Sequence, residues 1–324
     1  MEHPGAIQRF LRLPFLWLFL FFLILPYLMP MIKGYTALAS EILIYALFAL
    51  GYNLLLSYTG LPSFGHAAFF GIGAYGMALT QLKLAKGLWL GFFVGIVAAG
   101  VFAAVVAAII CRKRGIYFSL LTLAFGQMFF FIAFRWEEVT GGETGLTGFD
   151  RPPLTIPGLL EVNLTPPMNF YLFILVLFMI TMILIWKLIR SPFGSVLQAV
   201  KQNEVRAKFL GYNTTLYKWL SFTLSGMISG FAGAMFALQH GSAFPQYLYW
   251  TESGNVVMVT IMGGGVVNFF GPILGAGIFV ILQNAIGAFT EHWLFILGLI
   301  FISIVMIIPE GILGLLKKFR AVSS

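Results

Sequence analysis

The chain has 324 residues, of which 60% are hydrophobic and only 9% charged. Soluble domains carry about 25% charged residues, so hydrocarbon must be the main solvent of this one. That excludes an ordinary soluble enzyme, a disulfide scaffold and a disordered regulator. The formal charge of +8 would suggest nucleic acid in a soluble protein, but here the position of each charge relative to a bilayer is the first question.

A spanning helix needs about 20 mainly apolar residues. Ten stretches qualify in chain order: 14–32, 38–56, 61–82, 88–111, 116–134, 169–189, 219–238, 254–270, 272–290 and 293–308. The third, eighth and ninth are rich in glycine or closely connected, and fit broken or re-entrant segments equally well. The expected fold is an all-α integral membrane protein: a polytopic helical bundle of 8–10 transmembrane helices with some broken or re-entrant glycine-rich segments. Continuous apolar runs disfavour a β-barrel, whose strands alternate over about ten residues. Arg9 and Arg12 precede the first stretch, and Ala37-Leu38-Ala39 resembles a cleavage site. Cleavage there would fall well past the end of the apolar run, so an uncleaved first helix is expected.

The few charges sort by side. With ten spans and an inner N-terminus, inside segments hold 14 of the 19 basic residues and three acids, a balance of +11. Outside segments hold five basic residues and seven acids, a balance of −2, and Glu41 falls within the second span. Lys and Arg bias sets orientation, so both termini are expected in the cytoplasm. The basic excess is a topology signal and gives no support to nucleic-acid binding.

Two internal segments are long and polar. Segment 135–168, expected outside, holds Gly141-Gly142-Glu143-Thr144-Gly145-Leu146-Thr147-Gly148 and then five prolines. Its composition predicts a turn-rich loop, either a plain connector or a docking surface. Segment 190–218, expected inside, reads as a helix with Ser191-Pro192 at its start and Gly211 at its stop. Val196, Leu197, Val200, Ala207 and Leu210 make an apolar stripe on a basic amphipathic helix, which fits either a lipid surface or a partner protein.

These residues carry a resemblance. Asn203-Glu204-Val205-Arg206-Ala207-Lys208-Phe209-Leu210-Gly211, followed by Tyr217-Lys218, resembles the EAA-type loop of bacterial ABC importer permeases. Three more stretches are similar to the branched-chain amino acid permeases of the LivM type. They are Gly51-Tyr52-Asn53-Leu54 through Ser63-Phe64-Gly65-His66 to Tyr75, then Gly142 to Gly148, then Gly263-Gly264-Gly265 with Gly271-Pro272 and Gly275-Ala276. The likeness covers about residues 40–315. Arg206, Lys208 and Phe209 depart from the small or acidic residues usual in that loop, and Pro62 replaces a more usual polar residue.

The resemblance implies a single transmembrane permease domain over 1–324, with an extracytoplasmic loop at 135–168 and a cytoplasmic coupling loop at 190–218. It implies a multi-pass protein of a bacterial or archaeal inner membrane that imports branched-chain or related apolar amino acids. Its partners would be a second homologous permease, two ABC ATPase subunits, an extracytoplasmic binding protein and membrane lipid. Asn203, Glu204, Ala207, Phe209, Leu210 and Gly211 would couple to the ATPases, with Glu204 capping or pairing with a basic group of the partner. Gly142, Thr144, Gly145, Thr147 and Gly148 would dock the binding protein. ATP and magnesium would sit on the ATPase partners, and no cofactor or metal is expected in this chain. The absence of Gly-x4-Gly-Lys-Ser/Thr agrees with that division of labour.

Asn53, Ser63, His66, Gln127, Asn255 and Asn268 are the expected polar lining of a path, with simple helix packing as the competing account. His66 fits a packing histidine as well as a pore contact. Glu41, about one turn from the outer end of its span, fits an interfacial role. His240, Tyr247, Tyr249 and Trp250 fit an interfacial aromatic belt. An intramembrane enzyme is disfavoured. His3, His66, His240 and His292 are scattered, and Cys111, the only cysteine, has no histidine near it in sequence. A proton-coupled carrier using Glu41, or a urea, amide or other amino acid importer of the same family, are the alternatives.

Overall fold

The computed structural model describes residues 14–32, 34–84, 86–156, 160–264, 268–308 and 311–314. Twelve α-helices follow in order among them: α1 Pro14–Leu28, α2 Thr36–Asn53, α3 Ala67–Leu79, α4 Leu88–Ile110, α5 Gly115–Arg135, α6 Glu137–Thr140, α7 Pro167–Arg190, α8 Pro192–Phe209, α9 Thr214–His240, α10 Trp250–Met262, α11 Gly271–Gly287 and α12 Trp293–Ile307. Helices α2 and α3 run on into π-helical turns, Leu54–Thr59 and Thr80–Leu84. Four short strands make two antiparallel pairs, β1 Leu146–Thr147 with β4 Ser242–Ala243, and β2 Leu154–Ile156 with β3 Leu160–Val162. The protein is an all-α polytopic membrane protein. Six of its described helices are long and apolar enough to cross a bilayer, and two shorter apolar helices accompany them.

Helix α2 is the inner post of the bundle: 94% of its most apolar window is buried, against 33% for α5, which turns most of its surface outward. Helix α9 is the other central element, because its buried face is made of small residues: Ser225, Gly226, Ser229, Gly230, Ala232, Gly233 and Ala234. Small side chains let backbones approach closely, and packing of this kind drives helix association where no water is present. A Cβ on Gly73 of α3 would lie 1.9 Å from the Gly230 carbonyl oxygen, and one on Gly233 would lie 1.8 Å from that of Phe70.

Long helices give the bundle two ends. Thr59, Gly115 and Thr214 mark one, together with α8; Thr36, Arg135 and His240 mark the other, together with the 135–168 loop. Three boundaries differ from the sequence reading. The third stretch becomes helical at Ala67 rather than at 61, because Gly60 turns the chain in a left-handed conformation (φ 75°) and Gly65 packs against the α5 backbone at Thr122. The eighth is a 13-residue helix beginning at Trp250 instead of a span from 254 to 270. The seventh starts at Thr214, where the Asn213 side chain accepts the Leu216 N–H.

Candidate functional site

Two half-helices meet inside the bundle. Helix α3 begins at the level of Phe48 and Ser225: the His66 ring stacks on Phe48 at 6.2 Å and its Nε2 lies 2.9 Å from Ser225 Oγ. Helix α10 begins nearby but is reached from the other end. After α9 the chain turns at Gly241 (φ 62°), and the segment to Tyr249 dips back into the bundle, where Leu248 packs on Gly71 and the Tyr249 ring on Phe130 at 4.8 Å. The two first turns touch where the Ala67 N–H donates to Ser253 Oγ at 2.8 Å. Free N–H groups at a helix start need acceptors, and here one half-helix supplies an acceptor to the other.

Most of the expected path residues gather around this junction. Asn53, Ser63, His66 and Asn255 are all buried. Asn53 Oδ1 accepts from the Ser57 hydroxyl, while Asn53 Nδ2, Ser63 Oγ, His66 Nδ1 and Gln127 Nε2 have no hydrogen-bond partner among the described residues. Asn268 is apart, in the turn that joins α10 to α11. Sequence reasoning missed Glu252. It placed this acid in an outer segment, yet Tyr45 Oη donates to Glu252 Oε2 at 3.3 Å, and Tyr45 is nine residues along α2, about 13 Å from its start. Asn255 offers the same carboxylate a second donor. Periodicity carried no sign of this, since only the re-entrant fold of 241–249 brings the residue inward.

The belt reading of the aromatic cluster also changes. Tyr247 packs on Phe236 and Phe244, and Tyr249 on Phe130, so both are interior contacts, while Trp250 stays half exposed. His240 Nε2 lies 3.1 Å from Glu41 Oε1, which joins the last turn of α9 to the first turns of α2.

Helix α8 lies on the surface at the other end. It is not one continuous helix: Asn203 is extended (φ −158°) and its Oδ1 accepts the Arg206 N–H at 2.9 Å, so it caps a second short helical segment. The break explains why Val196, Val200 and Ala207 are buried together, whereas Leu210, expected on the same stripe, is 69% exposed. Phe209 beside it is 86% exposed. The segment ends in a Schellman arrangement, with the Gly211 N–H donating to Lys208 O and the Tyr212 N–H to Ala207 O. Gly211 has φ 89° and open space around it. Gly211→Val is therefore expected to cost about 1–2 kcal/mol through backbone strain alone, read as a lower melting temperature of the purified protein.

Glu204 faces the chain itself, not outward as the sequence suggested. Its carboxylate meets Arg114 Nε at 2.7 Å, Lys218 Nζ at 3.1 Å and Lys208 Nζ at 3.7 Å, and accepts the Thr214 hydroxyl at 3.0 Å. Burial pushes this carboxyl up, but Lys218, Thr214 and Arg114 together outweigh that and hold it below the ordinary range. Lys201 ties the first half of α8 to the bundle: its Nζ donates to Ser57 O at 2.8 Å, and its stem covers Gly60.

At the loop end, the glycine loop is pinned to the re-entrant segment. Leu146 and Thr147 pair with Ala243 and Ser242, and the Gly148 N–H donates to Gly241 O at 3.2 Å. Gly145 (φ 65°) leaves no room for a side chain beside Ala243 O. Gly142 is buried, and Thr144 Oγ1 donates to Gly141 O. Beyond it, an open cavity of about 830 Å³ is lined by Thr147 to Arg151 and by Leu238 to Ser242, with the Arg151 guanidinium donating to Leu238 O and Gln239 O.

A polytopic bundle whose interrupted helices meet in the apolar interior has the architecture of a membrane transport protein. The chain belongs to the family of branched-chain amino acid transport system permease components, whose family model matches residues 34–307. It is 28% identical over 304 residues to the high-affinity branched-chain amino acid transport system permease protein LivM of Salmonella typhimurium, covering 88% of this chain and 71% of that one. The Escherichia coli protein of the same name is 28% identical with the same coverage. A probable branched-chain amino acid transport permease protein LivH of Methanocaldococcus jannaschii is 25% identical, covering 86% of this chain and 91% of that one. No solved structure matches the chain.

Proposed function

We propose that this permease carries branched-chain or related apolar amino acids across the inner membrane as one of two homologous permease subunits of an ATP-driven importer. Two ATPase subunits drive it and an extracytoplasmic binding protein delivers the solute. The transport functions for which its relatives are named support the solute class. The observation that carries the ATPase partnership is the tip of α8, where Phe209 and Leu210 stand exposed on a segment fixed from behind by Ala207 and Glu204. Apolar anchors on a rigid support are what an interface uses. The Lys and Arg bias supports a cytoplasmic position for this end and for both termini. Arg206 and Lys208 beside the tip favour an acidic ATPase surface, and ATP with magnesium belongs to that partner.

The glycine loop would receive the binding protein. Its pairing with β4 offers a route for docking to reach the re-entrant segment, and through it the first turn of α10. Asn53, Ser63, His66, Gln127 and Asn255 surround the proposed path.

The test is co-purification with candidate ABC ATPase subunits from the same source, with uptake measured in reconstituted vesicles. Phe209→Ser combined with Leu210→Ser should leave the yield and melting temperature of the permease unchanged, since neither side chain is packed. ATPase binding should weaken about 30-fold or more, at over 1 kcal/mol for each anchor. ATPases that bind this double variant normally would remove α8 from the interface. Uptake of leucine that persists without ATP would remove the importer reading.

A further inference from the structure

We infer that the first turn of α10 borders the solute path and that the Glu252 carboxylate is the station that receives the solute's ammonium group. The inference rests on the permease reading above and adds to it a residue and a chemical role.

The first observation is depth without compensation. Glu252 lies at the level of Tyr45, well inside the bundle, and its contacts are the Tyr45 hydroxyl and the Asn255 amide. Among the described residues no Lys, Arg or His forms an ion pair with it; the four pairs present involve Glu204 and Glu41. Two neutral donors do not balance a carboxylate in an apolar interior, where acids ordinarily pair or face a water-filled space.

The second observation is that the carboxylate is not sealed in. Glu252 and Thr251 keep accessible surface, and Trp250 beside them is half exposed. One turn on from Thr251, and on its side of the helix, a Cβ added to Gly254 would meet nothing within 4 Å. An accessible acid at this depth would be too costly against hydrocarbon, so the space in front of it must be polar when the transporter is assembled.

The third observation comes from a different helix. Tyr75 of α3 is 6% exposed and its hydroxyl has no partner among the described residues. It lies one turn along α3 from Gly71, against which Leu248 of the re-entrant segment packs. An unused donor and an unpaired acid on neighbouring elements are the complement of a zwitterion, with its ammonium on Glu252 and its carboxylate toward the hydroxyl. Glu41 already pairs with His240, so among the described helices of the bundle interior Glu252 is the acid open to a ligand.

Cys111 is the only cysteine and is buried, so thiol labelling of introduced cysteines is clean. In the assembled transporter, Thr251→Cys and Gly254→Cys are treated with membrane-impermeant methanethiosulfonates of equal size carrying either a trimethylammonium or a sulfonate group. Both positions should react, the cationic reagent about tenfold faster. Adding Glu252→Gln should abolish that preference, and Glu252→Asp should keep it. In the chain without an introduced cysteine, Glu252→Gln should reduce leucine uptake about tenfold or more at equal yield of assembled complex, with Glu252→Asp intermediate. No labelling by either reagent, equal rates with Glu252 present, or unchanged uptake by Glu252→Gln would each overturn the inference. If the wild type takes up no amino acid, the substrate reading fails instead, and the labelling still reports on Glu252.

Discussion

Gly233→Val and Gly73→Val should each abolish the folded permease, seen as loss of the monodisperse peak on size-exclusion chromatography in detergent. At both positions the obstacle to a Cβ is backbone, the Phe70 and Gly230 carbonyls at 1.8 Å and 1.9 Å. A flexible side chain can swing away, but a helix backbone can only move as a whole. Ordinary overpacking of a core costs about 1–3 kcal/mol; here α3 and α9 must separate by more than an ångström along their length, forfeiting contacts on both sides, so the cost should exceed that range. Proteins have only about 5–15 kcal/mol to lose. Gly287→Ala and Gly298→Ala are the controls: nothing lies within 4 Å of a Cβ at either, and alanine favours the helix by about 1 kcal/mol. Those two variants should elute and melt like the parent or slightly better. If Gly233→Val also does so, the close approach of α3 to α9 is not what holds the bundle together.

The same glycines show how far sequence could be read. Apolar runs of about 20 residues located every long helix, because in hydrocarbon each backbone group must be satisfied within its own segment. They also flagged the weak third, eighth and ninth stretches. What they could not supply was where a broken helix starts. Ala67 and Trp250 begin their helices because Gly60 and Gly241 bend the chain, Gly65 packs against the α5 backbone and Leu248 finds Gly71. Those contacts join residues far apart in sequence, and no local pattern encodes them. Glu252 is the clearest consequence. Its neighbours in sequence look like an outer loop, whereas its neighbours in space are Tyr45 and Asn255. In α8 the opposite happened: the capping pattern and the glycine stop were legible, but the extended Asn203 was not, and with it went the direction of Leu210. The chemistry of Glu204 was visible as an acid among bases. Its partners were not, since Arg114 and Lys218 arrive from other elements.

Glu204→Lys should therefore abolish transport while membrane insertion survives, and Glu204→Gln should show why. Lys218 is 2% exposed, and Glu204 is its counter-charge. Removing one member of a buried pair leaves an uncompensated charge and costs about 3–5 kcal/mol; Arg114 and Lys208 are half exposed and add little. Glu204→Gln should lower the melting temperature markedly and release the Thr214 end of α9 from α8. Glu204→Gln combined with Lys218→Met removes both charges and should recover most of the lost stability. Transport should stay impaired in the double variant, because α8 is no longer tied through Glu204 to Arg114 and α9, and movement of its tip no longer reaches the bundle. The pH dependence has a fixed sign. The folded carboxyl is held below its ordinary value of about 4.3, so its contribution is complete above that value and disappears as pH falls through the folded one. Parent and Glu204→Gln melting temperatures should thus differ most at neutral pH and converge in acid. Equal melting curves at neutral pH, or a double variant no more stable than Glu204→Gln alone, would mean that Lys218 is balanced by something other than Glu204.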